Sequence, residues 1–188
     1  MTRRGTSNFD RRHSIVLSFT GDLPFGAGQR FLSGSQGLVN ALVSHWQVNV
    51  VDQMATGNPV TILLPFDNSN TGALADRPNT TGVDPVPDDQ GPNNWINPAA
   101  FVAPPQFTYG NAGRNSVTGP GRSQFDLSII RNLPLHQDRR LQLRLEIFNL
   151  FNRTNFFNPG ISLGTAQFGR ISQAADGRSI QFGARFTF

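Results

Sequence analysis

The stretch that most restricts the fold is the last eleven residues, Arg178 to Phe188, which read RSIQFGARFTF. Ile180, Phe182, Ala184, Phe186 and Phe188 share one parity, and Ser179, Gln181, Gly183, Arg185 and Thr187 share the other. A strict two-residue period sorts onto two faces only in an extended strand, here one apolar face and one polar face. At roughly 3.3 Å per residue the stretch spans about 36 Å, and a tilt of about 45° reduces that to roughly 25 Å, the height of a transmembrane barrel's apolar band.

Four further segments alternate. The first strand is predicted at about residues 13–20 (HSIVLSFT), with Ile15, Leu17 and Phe19 on one face, and Gly21 to Gly26, containing Pro24, ends it. The second is predicted at about 42–54, where Leu42, Trp46, Val48 and Val50 oppose His45, Gln47 and Asn49. The third covers about 123–132, with Phe125, Leu127 and Ile129 opposite Gln124, Asp126 and Ser128. The fourth covers about 141–150, where Leu141, Leu143, Leu145 and Ile147 oppose Gln142, Arg144 and Glu146. The last runs over about 178–188. The fold class is therefore all-β, an antiparallel meander of about five strands.

Hydrophobic content of 37% is low for a chain of 188 residues, and it suits strands with one wet face better than a two-sided core. No segment approaches the roughly 20 apolar residues of a membrane-spanning helix. The absence of cysteine removes disulfides, thiolate metal sites and cysteine nucleophiles. All 16 basic residues are arginines, and Glu146 is the sole glutamate. The net charge of +4 is spread over strands and turns, with no recognition helix to carry it, so no nucleic-acid partner is expected.

From Gly57 to Gly121 the chain carries prolines at every few positions, too many for a regular sheet or helix, and the stretch reads as one long loop. Asp84, Asp88 and Asp89 match no calcium-loop spacing and read as a solvated acidic patch, so no metal or cofactor is expected. If Phe188 marks the periplasmic end, the short Leu133–Arg140 turn is periplasmic and the Gly57–Gly121 and Phe151–Gly177 loops are extracellular. That asymmetry of short and long connections is the pattern of outer-membrane barrels.

Glu146 to Phe156, EIFNLFNRTNF, resembles the penultimate-strand motif of TonB-dependent outer-membrane receptors. Leu23-Pro24-Phe25-Gly26, the Trp46–Asn49 strand, Thr56-Gly57-Asn58-Pro59-Val60 and Phe168-Gly169-Arg170-Ile171 look like the same family, closest to its Oar-like group with a carboxypeptidase-regulatory-like domain. The terminal strand is similar to the assembly signal of such barrels, with Phe182, Phe186 and Phe188 read by the outer-membrane barrel assembly machinery through strand addition.

The resemblance implies a barrel of about 22 strands enclosing a plug, importing a large scarce nutrient with energy delivered through TonB. This chain has about five strands and lacks a recognisable plug, a TonB-contacting segment and a secretory leader in MTRRGTSNFDRR. It reads as residues 1–188 of the C-terminal part of a longer receptor, with Met1 not the native start and TonB engaged through the missing N-terminal part. Leu141, Leu143, Leu145, Ile180, Phe182 and Phe186 would face outer-membrane lipid. Gln124, Asp126, Gln142, Arg144, Glu146, Gln181 and Arg185 would face the lumen, with Arg144 and Glu146 pairing to neighbouring strands or to the plug. Contact with the unidentified substrate would fall in the Gly57–Gly121 loop.

An alternative is a soluble secreted β-sandwich that binds a carbohydrate or a protein, with Trp46, Trp95 and Tyr109 as stacking residues. An enzyme is not expected. No nucleophile elbow, H-E-x-x-H or phosphate loop is present, and His13, His45 and His136 are far apart in sequence.

Overall fold

The computed structural model describes residues 5–72, 75–135 and 139–188. In chain order its elements are β1 (Ser14–Asp22), a helix α1 (Gly37–Val43), β2 (Trp46–Ala55), the two-residue strands β3 (Pro59–Val60) and β4 (Asn79–Thr80), a 3₁₀ turn (Pro98–Ala100), β5 (Phe101–Val102), β6 (Val117–Thr118), and the long strands β7 (Arg122–Pro134), β8 (Arg140–Phe148) and β9 (Ser179–Thr187). The chain divides into a loop unit, residues 1–14, 55–122 and 154–175, and a sheet unit, residues 15–54, 123–153 and 176–188.

In the sheet unit the five long strands form one open sheet in the order β1-β2-β7-β8-β9, a meander with β1 and β9 at its edges. The fold is all-β and antiparallel, and the described residues do not close into a barrel. The registers place like with like. Leu127, Ile129 and Leu133 pair with Ile147, Leu145 and Leu141, which in turn pair with Ile180, Phe182 and Phe186 on β9. The alternate residues pair polar with polar, as in Ser128 with Glu146, Asn132 with Gln142, Gln142 with Arg185 and Glu146 with Gln181. A slip of one residue would put every apolar side chain on the other face, so this pattern fixes the register strongly. Ile130, buried on the polar side opposite Arg144, departs from the alternation.

Two expectations need correction in the sheet unit. Leu42 does not extend the second strand: Gly37–Val43 is helical, and His45, with φ of 63°, turns the chain before β2 begins at Trp46. His45 is therefore not part of the strand. Its Nδ1 lies 2.8 Å from Ser44 Oγ, and its carbonyl accepts the Asn132 N–H at 3.0 Å. The long connections also do not all leave one end of the sheet, since the segment from Leu23 to His45 joins β1 to β2 at the end where β7 turns into β8. Leu135 N–H donates to the Arg139 carbonyl at 2.9 Å to close that turn. His136 lies outside the described residues.

The Gly57–Gly121 segment is not a structureless loop. It belongs to a unit with its own core of Val60, Ile62, Ile96, Ala100, Phe101, Ala112 and Val117, against which Trp95, Ile161, Leu163 and Phe168 pack. β3 pairs with β6 and β4 with β5, both antiparallel. The prolines work within this packing. Pro98 opens the 3₁₀ turn, where a missing N–H costs nothing, and Pro78 is fully buried. Gly57 fits because its Cα faces the Gly119 carbonyl so closely that a Cβ would collide with backbone.

Candidate functional site

The polar side chains singled out from the sequence lie on one face of β7, β8 and β9, and most meet one another. Gln124 Nε2 donates to both carboxylate oxygens of Asp126 at 3.0 Å. Gln181 Nε2 donates to Glu146 Oε2 at 2.9 Å, and Arg144 stands 3.9 Å from the other oxygen of Glu146. Gln142 Nε2 donates to Asn132 Oδ1 at 2.9 Å. Arg185 pairs in register with Gln142. The result is a charged and amide-rich ladder rather than a convergent catalytic group.

The F-N-L-F-N motif forms the exit from β8. Asn149 and Asn152 take the left-handed conformation, with φ of 53° and 50°, which asparagine tolerates better than other non-glycine residues. Asn149 is 4% exposed. Its amide donates to Asp126 Oδ1 at 2.8 Å, while its side chain accepts from the Arg153 N–H and donates to the Arg153 carbonyl, both at 2.9 Å. Asn152 Oδ1 accepts the Arg178 N–H at 2.9 Å, which ties this turn to the entry of β9. Leu150 N–H donates to the Phe125 carbonyl at 2.7 Å. The motif is thus a clasp across the ends of three strands, a role that its sequence does not disclose.

Asp126→Ala is expected to cost about 1–3 kcal/mol, because it leaves the Asn149 N–H without an acceptor beside a buried side chain. Urea unfolding of wild type and variant measures this. Equal midpoints would mean that the clasp does not depend on the carboxylate.

The aromatic residues of the terminal strand are exposed, Phe182 at 82% and Phe188 at 94%, and the Phe186 and Phe188 rings stack at 5.9 Å. A soluble sandwich would cover this face with a second sheet. Of its three proposed stacking residues, Trp95 is held inside the loop unit by bonds to the Thr118 and Gly169 carbonyls. Trp46 Nε1 donates to the Leu42 carbonyl at 2.8 Å, and Tyr109 lines a cavity of the loop unit.

That cavity, of about 740 Å³, lies in the loop unit and is bordered by Asn8, Thr61, Asp76, Arg77, Tyr109 and Arg114 among others. Arg77 Nη1 donates to the Ala112 carbonyl at 2.8 Å. Asp76 Oδ2 accepts the Ser69 N–H at 2.7 Å, in a turn whose other carboxylate is Asp67. Partial desolvation of Asp67 would raise its pKa. Hydrogen bonds from the N–H groups of Gly72 and Thr71, the Ser69 hydroxyl and the Asn70 N–H outweigh that and hold the carboxyl below its ordinary value.

The folded Asp67 carboxyl thus binds its proton less readily than the unfolded one. Its contribution is present at neutral pH, fades below the ordinary carboxylate range, and is lost as pH falls through the lowered value. Asp67→Asn is expected to flatten the acid limb of the loop unit's stability against pH, and an unchanged limb would contradict this. Asp84, Asp88 and Asp89 are exposed. Asp84 accepts the Val86 N–H and Asp89 the Asn94 amide, and among the described residues no group of three metal-ligating side chains converges.

A sequence-family model described as an outer membrane beta barrel domain matches residues 1–181. The chain belongs to that family. Its place is the bacterial outer membrane, and the two-faced antiparallel sheet is the corresponding architecture. Searches of curated proteins and of solved structures return no match. Two further motifs of the resemblance, residues 56–60 and 168–171, have structural posts in the loop unit. Gly119 N–H donates to the Asn58 carbonyl at 2.8 Å, and Trp95 N–H to the Gly169 carbonyl at 2.7 Å. Gly169 has φ of 69° and lies against the Ile96 backbone.

Proposed function

We propose that this chain is a wall segment of a TonB-dependent outer-membrane transporter that imports a large scarce nutrient, with no catalysis of its own. The observation that carries the wall reading is the register of β7, β8 and β9, which stacks apolar residues on one side and polar residues on the other over three consecutive strands. Only a sheet with lipid outside and water inside makes both faces favourable without a covering layer. The TonB-dependent part of the reading rests on the F-N-L-F-N and accompanying motifs.

In this reading the five strands span the membrane as part of a barrel of about 22, the number typical of plugged outer-membrane transporters. Gln124, Asp126, Gln142, Arg144, Glu146, Gln181 and Arg185 line the lumen. The open edge of β9, with Phe182, Phe186 and Phe188, is what the assembly machinery reads by strand addition. TonB acts through a plug-bearing N-terminal part. The substrate meets the loop unit, where the cavity beside Arg77, Tyr109 and Arg114 offers a polar surface.

The test is the apparent mass of the native product in the outer-membrane fraction, detected with an antibody to a loop-unit peptide. A band several times heavier than 20.6 kDa that co-purifies with TonB is expected. A band near that mass, without TonB, would replace the transporter reading with an oligomeric barrel.

A further inference from the structure

The apolar face of the sheet carries a cation that nothing beside it among the described residues neutralises. β7 places Arg131 on the same side as Leu127, Ile129 and Leu133, directly opposite Leu143. Its guanidinium carbon lies 5.0 Å from the centre of the Trp46 ring. Nε is buried with no hydrogen-bond partner, and among the described residues the ion pair on these strands is Arg144 with Glu146, on the opposite face. Trp46 is itself pinned by its bond to the Leu42 carbonyl, so the ring is a fixed platform for the guanidinium.

Beside that platform runs a mainly apolar groove of about 540 Å³, lined by Trp46, Ile129, Leu143, Leu145, Phe182 and Ala184 together with Arg144 and Gly183. Its depth comes from Ala184, a small residue between Phe182 and Phe186 on β9, in register with Leu143. The groove therefore runs up to the Trp46 ring, over which a guanidinium with no anion among the described residues is held. Trp46 is the first residue of β2 and Arg131 lies three residues before the end of β7, so the cation sits toward a rim of the sheet, where arginine and tryptophan meet lipid head groups.

We propose that Arg131, Trp46 and this groove bind one anionic phospholipid of the surrounding membrane. The phosphate accepts hydrogen bonds from the terminal guanidinium nitrogens, and an acyl chain lies along Ile129, Leu143 and Ala184. The argument is charge complementarity: a cation on a lipid-facing surface requires an anion, hydrocarbon supplies none, and a phosphate fits the guanidinium fork. The site rests on the reading that this face meets lipid.

The test is native mass spectrometry of the full chain released from nanodiscs of mixed phosphatidylcholine and phosphatidylglycerol. Wild type is expected to retain one phosphatidylglycerol in preference, by about fivefold, the ratio that one cation near an anionic surface supplies. Arg131→Gln is expected to abolish the preference and Arg131→Lys to keep most of it. Ala184→Phe, which fills the groove and leaves the charge, is expected to release the lipid.

Equal retention of both lipids by wild type would overturn the site, as would an unchanged preference in Arg131→Gln or displacement of the lipid by inorganic phosphate. Retention unaffected by Ala184→Phe would also overturn it. Quenching of a probe at position 143 by brominated lipid separates the two failures. Quenching without lipid preference removes this site alone, whereas absent quenching removes the lipid-facing reading as well.

Discussion

Replacing Leu143 by arginine is expected to destabilise the folded protein by about 1–2 kcal/mol, between the cost of a cation on the lipid face near the interface and that at the bilayer midplane. Leu143 is the fourth of the nine residues of β8, level with Arg131 and Ala184 in the two registers, with apolar neighbours at Leu141 and Leu145 on its own face. A guanidinium there has no carboxylate opposite it in either register and lies beside Arg131, so it meets a like charge as well as hydrocarbon. The matched control is Gln142→Arg, one residue away on the polar face, which is expected to change stability little. Urea midpoints in lipid vesicles check both, and equal effects of the two substitutions would mean that the faces do not differ in solvent.

The second large effect is expected in the loop unit. Ile62 is 0% exposed and packs with Val60, Ile96, Phe101 and Val117. Truncating it to alanine removes buried methylene groups from a core whose backbone is held by short strands and long-range hydrogen bonds, so the cavity cannot collapse fully. The cost is expected to be about 2–5 kcal/mol. Hydrogen exchange localises it: amides of residues 60–64 and 95–101 should lose protection while those of β8 keep theirs. Unchanged protection in both regions would show that the loop unit has no cooperative core.

The two outcomes differ in how readable they are from sequence. β7, β8 and β9 alternate over most of their length, Ile130 and Arg131 excepted, because each face has its own solvent, and a two-residue period survives in the sequence wherever that holds. Leu42 misleads for the same reason: it falls on the parity of Trp46, although the chain between them leaves a helix and turns at His45.

The loop unit is obscured because its core gathers apolar residues from between prolines, with no sustained period. Val60, Ile62 and Leu64 do alternate, and that brief run flanked by Pro59 and Pro65 was the available signal. Asp126 was legible as a polar-face residue, but not its bond to the Asn149 amide, since that contact forms only once Asn149 takes a positive φ. The outward cation at Arg131 was also hidden, because it interrupts an apolar parity and shows its meaning only beside Trp46.

The central claim is that one face of the sheet meets lipid and the other meets water. The cysteine-free chain allows it to be tested directly. A single fluorescent probe is attached at Leu143→Cys or at Gln142→Cys, and the protein is folded in vesicles of brominated phospholipid. The account predicts strong quenching at position 143 and weak quenching at position 142. Equal quenching, or the reverse order, would contradict it.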